Sequence, residues 1–476
     1  MKYIFATLAA LFLLDSCSGG QTTYVRPVSK AESDAVHTML ASGNAPKPDS
    51  PIPTAATDTS NASCDAFIQK LRSGFKSDHI TVPEDWSHPD DSKKIQVFYY
   101  WRHAVPVQGG KPTVKIPVVF FNGGPSSDSH SSSEFLESQN FTGQVPFIYI
   151  DQRGTGCSDL YPDSLDDATA MRLSHYGSEA IVRDAEAIRQ KIFGRDVRWR
   201  IYGQSYGALI VHRYLEIAPE GVEKAIAHGF SIMSDPIQFT ADRIASQQRV
   251  AGLYFETYPE DKRTLATIRS KIPGSQCWSD GSSQMCGSGV LDAMTLMLTL
   301  TNEWPTLHFW IKSLADADGI INSEILDKFV RTFIFGAYNS GGLAEPVITK
   351  LEGTPGYNDP DGCALAIKRL QEQGEDPARY DMNECRVYAG FKRKSDTLTS
   401  QIQASPIHLD AILDYLKRNP SFQFFLFSGQ KDILVPYVTY DEEVSKLSPY
   451  VKYESFPNSG HEGFYSETDV TNQVIQ

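Results

Sequence analysis

The segment Arg200-Ile-Tyr-Gly203-Gln204-Ser205-Tyr206-Gly207-Ala208 decides the reading of this chain. Residues 197–202 before it have the β-branched and aromatic character of a strand, and residues 206–218 after it have the spacing of a helix. A serine flanked by Gly203 and Gly207 at such a junction sits on a tight strand-to-helix turn that lifts its hydroxyl clear of the sheet. Working outward, 95–100, 116–121 and 147–151 read as strands. Residues 178–193 read as a helix with Ser178 as N-cap and Ile181, Ala185 and Ile188 along one stripe, and 225–230 reads as the next strand. Strand and helix alternating in this way imply an open parallel α/β sheet.

From about 234 to 404 the rhythm changes to helical patterns, such as 291–314 and 323–335, broken by Gly-rich stretches. A helix over 406–418, an apolar strand over 422–427 and a β-rich run over 450–456 then resume the earlier pattern. The middle block therefore reads as an insertion into one sheet. The expected organisation is 63–235 and 406–476 as two parts of one core, with 236–405 inserted between them.

A serine hydroxyl is a weak nucleophile at neutral pH and needs a histidine to take its proton and a carboxylate to orient that histidine. The strand over 422–427 runs into Ser428-Gly-Gln-Lys-Asp432-Ile433, placing Asp432 in a loop at a strand's carboxyl end, where α/β sheets hold their sites. The next strand leads to Pro457-Asn-Ser-Gly460-His461, so the candidate base follows the candidate acid in an adjacent strand-to-loop unit. An oxyanion hole needs backbone N–H groups aimed at the developing charge. The strand over 116–121 ends in Asn122-Gly-Gly124-Pro-Ser126, and the N–H groups of Gly124 and Tyr206 are the candidate donors.

These motifs together resemble the prolyl aminopeptidase-like serine peptidases of the α/β-hydrolase superfamily, including the exported tripeptidyl aminopeptidase-like members. The matching residues are Asn122-Gly-Gly-Pro125, Asp151-Gln-Arg-Gly154-Thr-Gly156-Cys-Ser158, Gly203-Gln-Ser-Tyr-Gly207, Asp432 and Gly460-His461. Asn122 stands where the family has His, and Ser126 where it has Gly, so a positive φ at Ser126 would strain the oxyanion turn. The resemblance implies an α/β-hydrolase fold: a mostly parallel sheet with helices on both faces and a large, mainly helical cap inserted at 236–405. It also implies a Ser205-His461-Asp432 triad and a short peptide substrate cut from its free N-terminus. A carboxylesterase acting on small acyl esters is the alternative within the same chemistry. A surface binding protein that keeps the fold without turnover is a third reading. Asp151 and Arg153 read as charged residues holding a strand-end loop. No metal or organic cofactor is implied.

The chain has 476 residues, with 44 Lys and Arg against 58 Asp and Glu, a formal charge of −14. That balance argues against a phosphate-binding surface and so against a nucleic-acid partner. Residues 3–14 are apolar over the length of a signal-peptide core, too short to span a bilayer. The Leu14-Asp-Ser-Cys17 that follows resembles the lipobox of bacterial lipoproteins, with Asp15 as a departure. The expectation is a signal peptide over 1–16, lipidation at Cys17, a Ser/Thr/Pro-rich tether over 17–62, and export to the periplasm or cell surface, the outer membrane being favoured. The membrane contact would be the lipid anchor alone. Six further cysteines, Cys64, Cys157, Cys277, Cys286, Cys363 and Cys385, suit three disulfides in an oxidising compartment. Fifteen pairings are open; closing the near pairs 277/286 and 363/385 would leave Cys64 with Cys157. Similarity of residues 64–89 to the exported members' entry segment supports that long pairing.

Overall fold

One large sheet organises a computed structural model that describes residues 75–102, 116–130 and 145–461, less 163, 165, 301–302, 317–318, 338–343 and 354–359. Residues 64, 67, 69, 132, 133, 136 and 473 are described as well. The expected signal peptide, Cys17 and the tether lie outside the described residues.

In chain order the strands are β1 (Phe75–Pro83), β2 (Lys94–Arg102), β3 (Val118–Phe121), β4 (Phe147–Ile150), β5 (Trp199–Gln204) and β6 (Val222–His228). They continue as β7 (Cys277–Ser279), β8 (Ser283–Cys286), β9 (Phe391–Arg393), β10 (Gln423–Gly429) and β11 (Val451–Phe456). Eight of them form the sheet in the order β1-β2-β4-β3-β5-β6-β10-β11. Pairing is antiparallel at β1/β2 and β2/β4 and parallel from β4 to β11, the mostly parallel architecture expected. The short β3 and β4 are Val-Val-Phe-Phe and Phe-Ile-Tyr-Ile, buried throughout. Such unbroken apolar runs occur when both faces of a strand are covered. Val119, Phe121, Ile148 and Ile201 enter one core cluster, and Val118, Phe120, Phe147 and Tyr202 the other, following the two-residue period of a strand.

Helix α1 (Ser178–Phe193) matches the expected span, but Gly177 rather than Ser178 is the N-cap. Ser178 is instead the first helical residue, and the Glu352 carboxylate caps the helix from far along the chain. It accepts Ser178 N–H at 2.6 Å and the Ser178 hydroxyl at 2.7 Å. Helix α2 (Tyr206–Ile217) follows β5 directly.

Much of 236–405 packs a separate buried cluster, including Ile244, Val250, Met294, Leu298, Phe329, Phe333 and Cys385, while Phe239, Ala344, Val347, Ile348, Leu398 and Ile402 join the core of the sheet. The antiparallel β7-β8-β9 sheet lies within this stretch. The helix expected over 291–314 is not continuous: a 3₁₀ segment covers Ser288–Thr299 and an α-helix Trp304–Ser313. Pro305 accounts for the break, since a residue without an N–H starts a helix more readily than it continues one. The helix expected over 323–335 ends at Phe329 and passes into a π-helix at Val330–Ala337. The disulfides pair Cys64 with Cys157, Cys277 with Cys286 and Cys363 with Cys385.

Candidate active site

The sheet order changes direction between β3 and β5, because β4 lies on one side of β3 and β6 on the far side of β5. The loops leaving these two strands diverge there and open a crevice at the strands' carboxyl ends. Ser205 stands at that point, between β5 and α2. Its φ of +55° and ψ of −122° lie in a region that L-residues avoid. Backbone held in this way typically costs about 1 to 3 kcal/mol and persists only where its surroundings enforce it. The two flanking glycines show what enforces it. A Cβ on Gly203 would lie 2.1 Å from Gly207 O, and one on Gly207 would lie 2.0 Å from Phe121 O. Side chains at either position would push α2 off the strands. Ser205 N donates to His228 O at 2.9 Å, and Ser205 O accepts from Ala208 N at 2.8 Å, which starts the helix.

Asp432 and His461 come together on the loops that leave β10 and β11. His461 Nδ1 and Asp432 Oδ2 are 2.8 Å apart, with both side chains buried. Asp432 Oδ1 accepts from Leu434 N at 2.8 Å and Val435 N at 2.9 Å, so both carboxylate oxygens are fixed. An imidazole whose Nδ1–H is held by a carboxylate has Nε2 left as the proton acceptor. The two loops are laced together by main-chain bonds, Lys431 N to Ser459 O and Gln430 N to Phe456 O, each 3.0 Å. Gly229, after β6, gives the measure of how close this pair is to the serine. A Cβ built there would lie 3.1 Å from His461 Cε1 and 3.6 Å from Ser205 N. All three sequence-identified residues therefore meet around one space at the carboxyl end of the sheet.

The turn expected to supply an oxyanion hole lies next to them, with one refinement. A Cβ on Gly123 would lie 3.3 Å from Ser205 Cβ and 3.9 Å from Ser205 Oγ, whereas one on Gly124 would meet Ser126 N and Ser127 N. Of the two glycines it is Gly123 whose Cα lies against the serine. Ser126 has a φ of +86°, the strain that its departure from glycine implies. Asn122 anchors the turn: its side-chain amide donates to Asp128 O and its carbonyl group accepts from Ser132 Oγ.

Several residues around the site carry no motif. Tyr206, which follows Ser205, donates its hydroxyl to Glu352 Oε1 at 3.0 Å. Burial, and then the Glu352 charge, hold that phenol well above its ordinary range. His228 is fully buried; desolvation, and then the neighbouring His461, push it well below the usual histidine value. Thr299 reaches the other end of the site, where its Oγ1 accepts His461 N–H at 3.0 Å. Arg153 is fully buried and bound by Asp184 at 2.6 and 2.7 Å and by the carbonyls of Glu84 and His175, each at 2.7 Å. Its donors are thus engaged by the protein. Asp151 is buried, which alone would raise its carboxyl, but hydrogen bonding to His130 leads the interactions that bring it below the ordinary value.

Among the described residues, two clusters bring three metal-ligand atom types within 4.8 Å of one another: His130 with Asp151 and Cys157, and Glu260 with Asp261 and His308. Cys157 is committed to a disulfide. Asp261 is hydrogen-bonded to Tyr254 and, at 2.9 Å, to His308, so the second cluster is already satisfied internally. A cleft of about 170 Å³ beside Asp85, His175, Arg183 and Glu352 is lined by none of Ser205, Asp432 and His461.

Fold and site define an α/β hydrolase fold. The family model described as the alpha/beta hydrolase fold matches residues 116–270. The chain is distantly homologous to a proline iminopeptidase of Aeromonas sobria, with 29% identity over 192 residues. That match covers 38% of this chain and 43% of the relative, so the chain spans less than half the relative's length. Among solved structures, a proline iminopeptidase from Mycobacterium smegmatis is similar at 13% identity and a TM-score of 0.39, covering 83% of this chain and 96% of that one. A thermophilic esterase from Thermogutta terrifontis is similar at 11% identity and a TM-score of 0.38, covering 83% and 96%. Neither structural likeness bears on activity.

Proposed function

We propose that this protein is an exported serine hydrolase that removes residues from the free N-terminus of short peptides. The observation that carries the hydrolase reading is the buried 2.8 Å Asp432–His461 bond beside a serine held at φ +55°. Ser205 Oγ attacks the substrate carbonyl carbon as His461 Nε2 takes its proton. The C–N bond of the tetrahedral intermediate then breaks as His461 returns the proton to the leaving amine. Water, activated by the same histidine, releases the acyl group. Asp432 holds the imidazole in its tautomer and stabilises the imidazolium. The Tyr206 N–H, together with an N–H from the Gly123–Gly124 turn, stabilises the oxyanion. Distant homology to the Aeromonas sobria enzyme supports the aminopeptidase assignment over a general esterase.

In this reading residues 236–405 cap the carboxyl ends of the strands and restrict access to short substrates. Cys17 carries the lipid anchor and holds the enzyme at the outer membrane, facing the periplasm or the cell surface. Cys17→Ala would release it into the soluble fraction, checked by fractionation.

The deciding experiment compares a free aminoacyl or tripeptidyl amide with its N-acetyl form, beside a butyrate ester. Acetylation should lower kcat/KM by about one to three orders of magnitude, the effect of losing a desolvated charged hydrogen bond. Equal rates on both amides with faster ester turnover would make the protein an esterase. No turnover of any of them would leave a binding protein.

A further inference from the structure

We infer that Thr299, in the inserted segment, is a positioning residue for the general base, so that the insert completes the catalytic device as well as covering it. This rests on the hydrolase reading above.

The geometry sets a side-chain hydroxyl of the insert against the main chain of the catalytic loop. Thr299 Oγ1 accepts the His461 N–H at 3.0 Å, fixing the backbone of the residue whose ring must face the serine. One residue earlier the approach is closer still. A Cβ on Gly460 would lie 1.8 Å from Thr299 O and 3.0 Å from Thr299 Oγ1, so no side chain fits between the loop and the insert. The loop bearing His461 is thus pressed onto one residue of the insert. It is tied on its other side to the Asp432 loop through Ser459 O.

Thr299 is itself rigidly placed. It ends the Ser288–Thr299 segment, in which Met294, Met297 and Leu298 are fully buried. Trp304 Nε1 donates to Leu298 O at 3.1 Å and Leu300 N to Met297 O at 3.2 Å, closing the chain around Thr299. The acid is held from the same body. Ile433, adjacent to Asp432, is fully buried in the insert's apolar cluster, and Ser246 Oγ donates to Asp432 O at 3.3 Å. Both halves of the Asp432–His461 pair are therefore braced by residues 236–405 as well as by their own loops, while Ser205 takes its position from β5 and α2. The distance between nucleophile and base depends on how the insert sits on the sheet. A misplacement of the order of an ångström between reacting groups costs about a hundredfold in rate.

Thr299→Val keeps the branched shape and removes the acceptor; Thr299→Ser keeps the acceptor. The full-length protein is treated with a fluorophosphonate, and the second-order rate constant is separated from the final labelled fraction. Kinetics on the best amide substrate accompany it. The expected result for Thr299→Val is a labelling rate and kcat lowered about ten- to a hundredfold, with KM within about twofold and the final labelled fraction unchanged. Thr299→Ser should stay within about threefold of wild type. A merely structural role would lower the labelled fraction and leave the rate constant of the folded molecules intact, and that result would overturn the inference. So would Thr299→Ser failing as badly as Thr299→Val. If Thr299→Val does not fold, Thr299→Ala removes the same oxygen with a smaller footprint and is read by the same criteria. A wild type that never labels would overturn the hydrolase reading and Thr299's role with it, whereas normal wild-type labelling with an unaffected Thr299→Val overturns the role alone.

Discussion

At the Ser205 turn, order is local. Two glycines within five residues, a strand before and a helix after hold most of what fixes the serine in a conformation it would not otherwise adopt, with Phe121 and His228 as its distant contacts. In residues 236–405, order comes from far apart in sequence. Met285 and Phe391 pair across β8 and β9, Arg243 bridges to Glu384 at 2.7 Å, and two disulfides close the segment. The first kind of order leaves a motif in the sequence because most of its partners are neighbours. The second leaves only composition. On the proposed reading, function draws on both: the nucleophile comes from the local kind, while the base and acid are steadied by the distant kind.

The largest expected effect lies at the local site. Ser205→Ala should lower kcat by about six orders of magnitude while leaving the circular dichroism spectrum unchanged. Asp432→Asn should cost about four orders, because an amide presents a donor to the wrong imidazole tautomer.

Stability separates the two regions next. Removing the Cys64–Cys157 bridge, whose cysteines are 93 residues apart, should cost about 4 to 5 kcal/mol in the chain-entropy account, against about 2.5 to 3 kcal/mol for Cys277–Cys286 at a separation of 9. Urea melts of paired Cys→Ser variants check the order. If the short bridge in the insert mattered more than the long one, local strain in the insert, not loop closure, would govern its stability.

The sheet side has its own long-range tie. His212 on α2 is fully buried, with Nδ1 2.6 Å from Ala208 O and Nε2 2.6 Å from Glu443 Oε1 on the helix Tyr440–Leu447. Burial alone would lower its pKa, but the Glu443 charge and hydrogen bonds raise it above the ordinary value. Both ring nitrogens face acceptors, as an imidazolium requires. His212→Ala strands Glu443 and should cost about 3 to 5 kcal/mol. The sign of the pH effect follows from the raised value. The pair's contribution is full below the unfolded value of about 6.5 and is lost as pH rises through the folded value. The Tm gap between wild type and His212→Ala should therefore shrink as pH is raised. A gap that widens would contradict the charged pair.

The smallest effect sharpens the account of the turn. Ser205→Gly removes the penalty of a positive φ and should raise stability by about 1 kcal/mol despite abolishing activity. Unchanged or lower stability would mean the turn holds no strain.

What the sequence made legible follows the same division. The mostly parallel sheet showed in β3, β4 and β10 because each carries a short, unbroken apolar run, and in β5 because its aromatic and β-branched residues lead straight into a glycine-flanked turn. Ser205, Asp432 and His461 could be named because each follows a strand-like run at a glycine-bearing turn. The sequence points to Gly124 in the oxyanion turn, whereas the Cα that meets the serine is that of Gly123, because the sequence shows that the turn is tight but not which glycine faces the nucleophile. Gly177 displaced Ser178 as N-cap because Glu352, 174 residues away, takes over the capping. Thr299 and Glu352 were invisible for that reason: a single polar residue acquires its role only when the chain returns to meet it. The insert's 3₁₀ and π-helical segments were hidden too, because apolar spacing near 3.6 residues does not separate these helices from an α-helix.

Mapping the site of a fluorophosphonate adduct by peptide mass spectrometry tests the central claim most directly. A single adduct on Ser205, absent from Ser205→Ala and slowed by about three orders of magnitude or more in His461→Ala, is the expected result. An adduct on any other residue, or equal labelling of wild type and Ser205→Ala, would contradict the account.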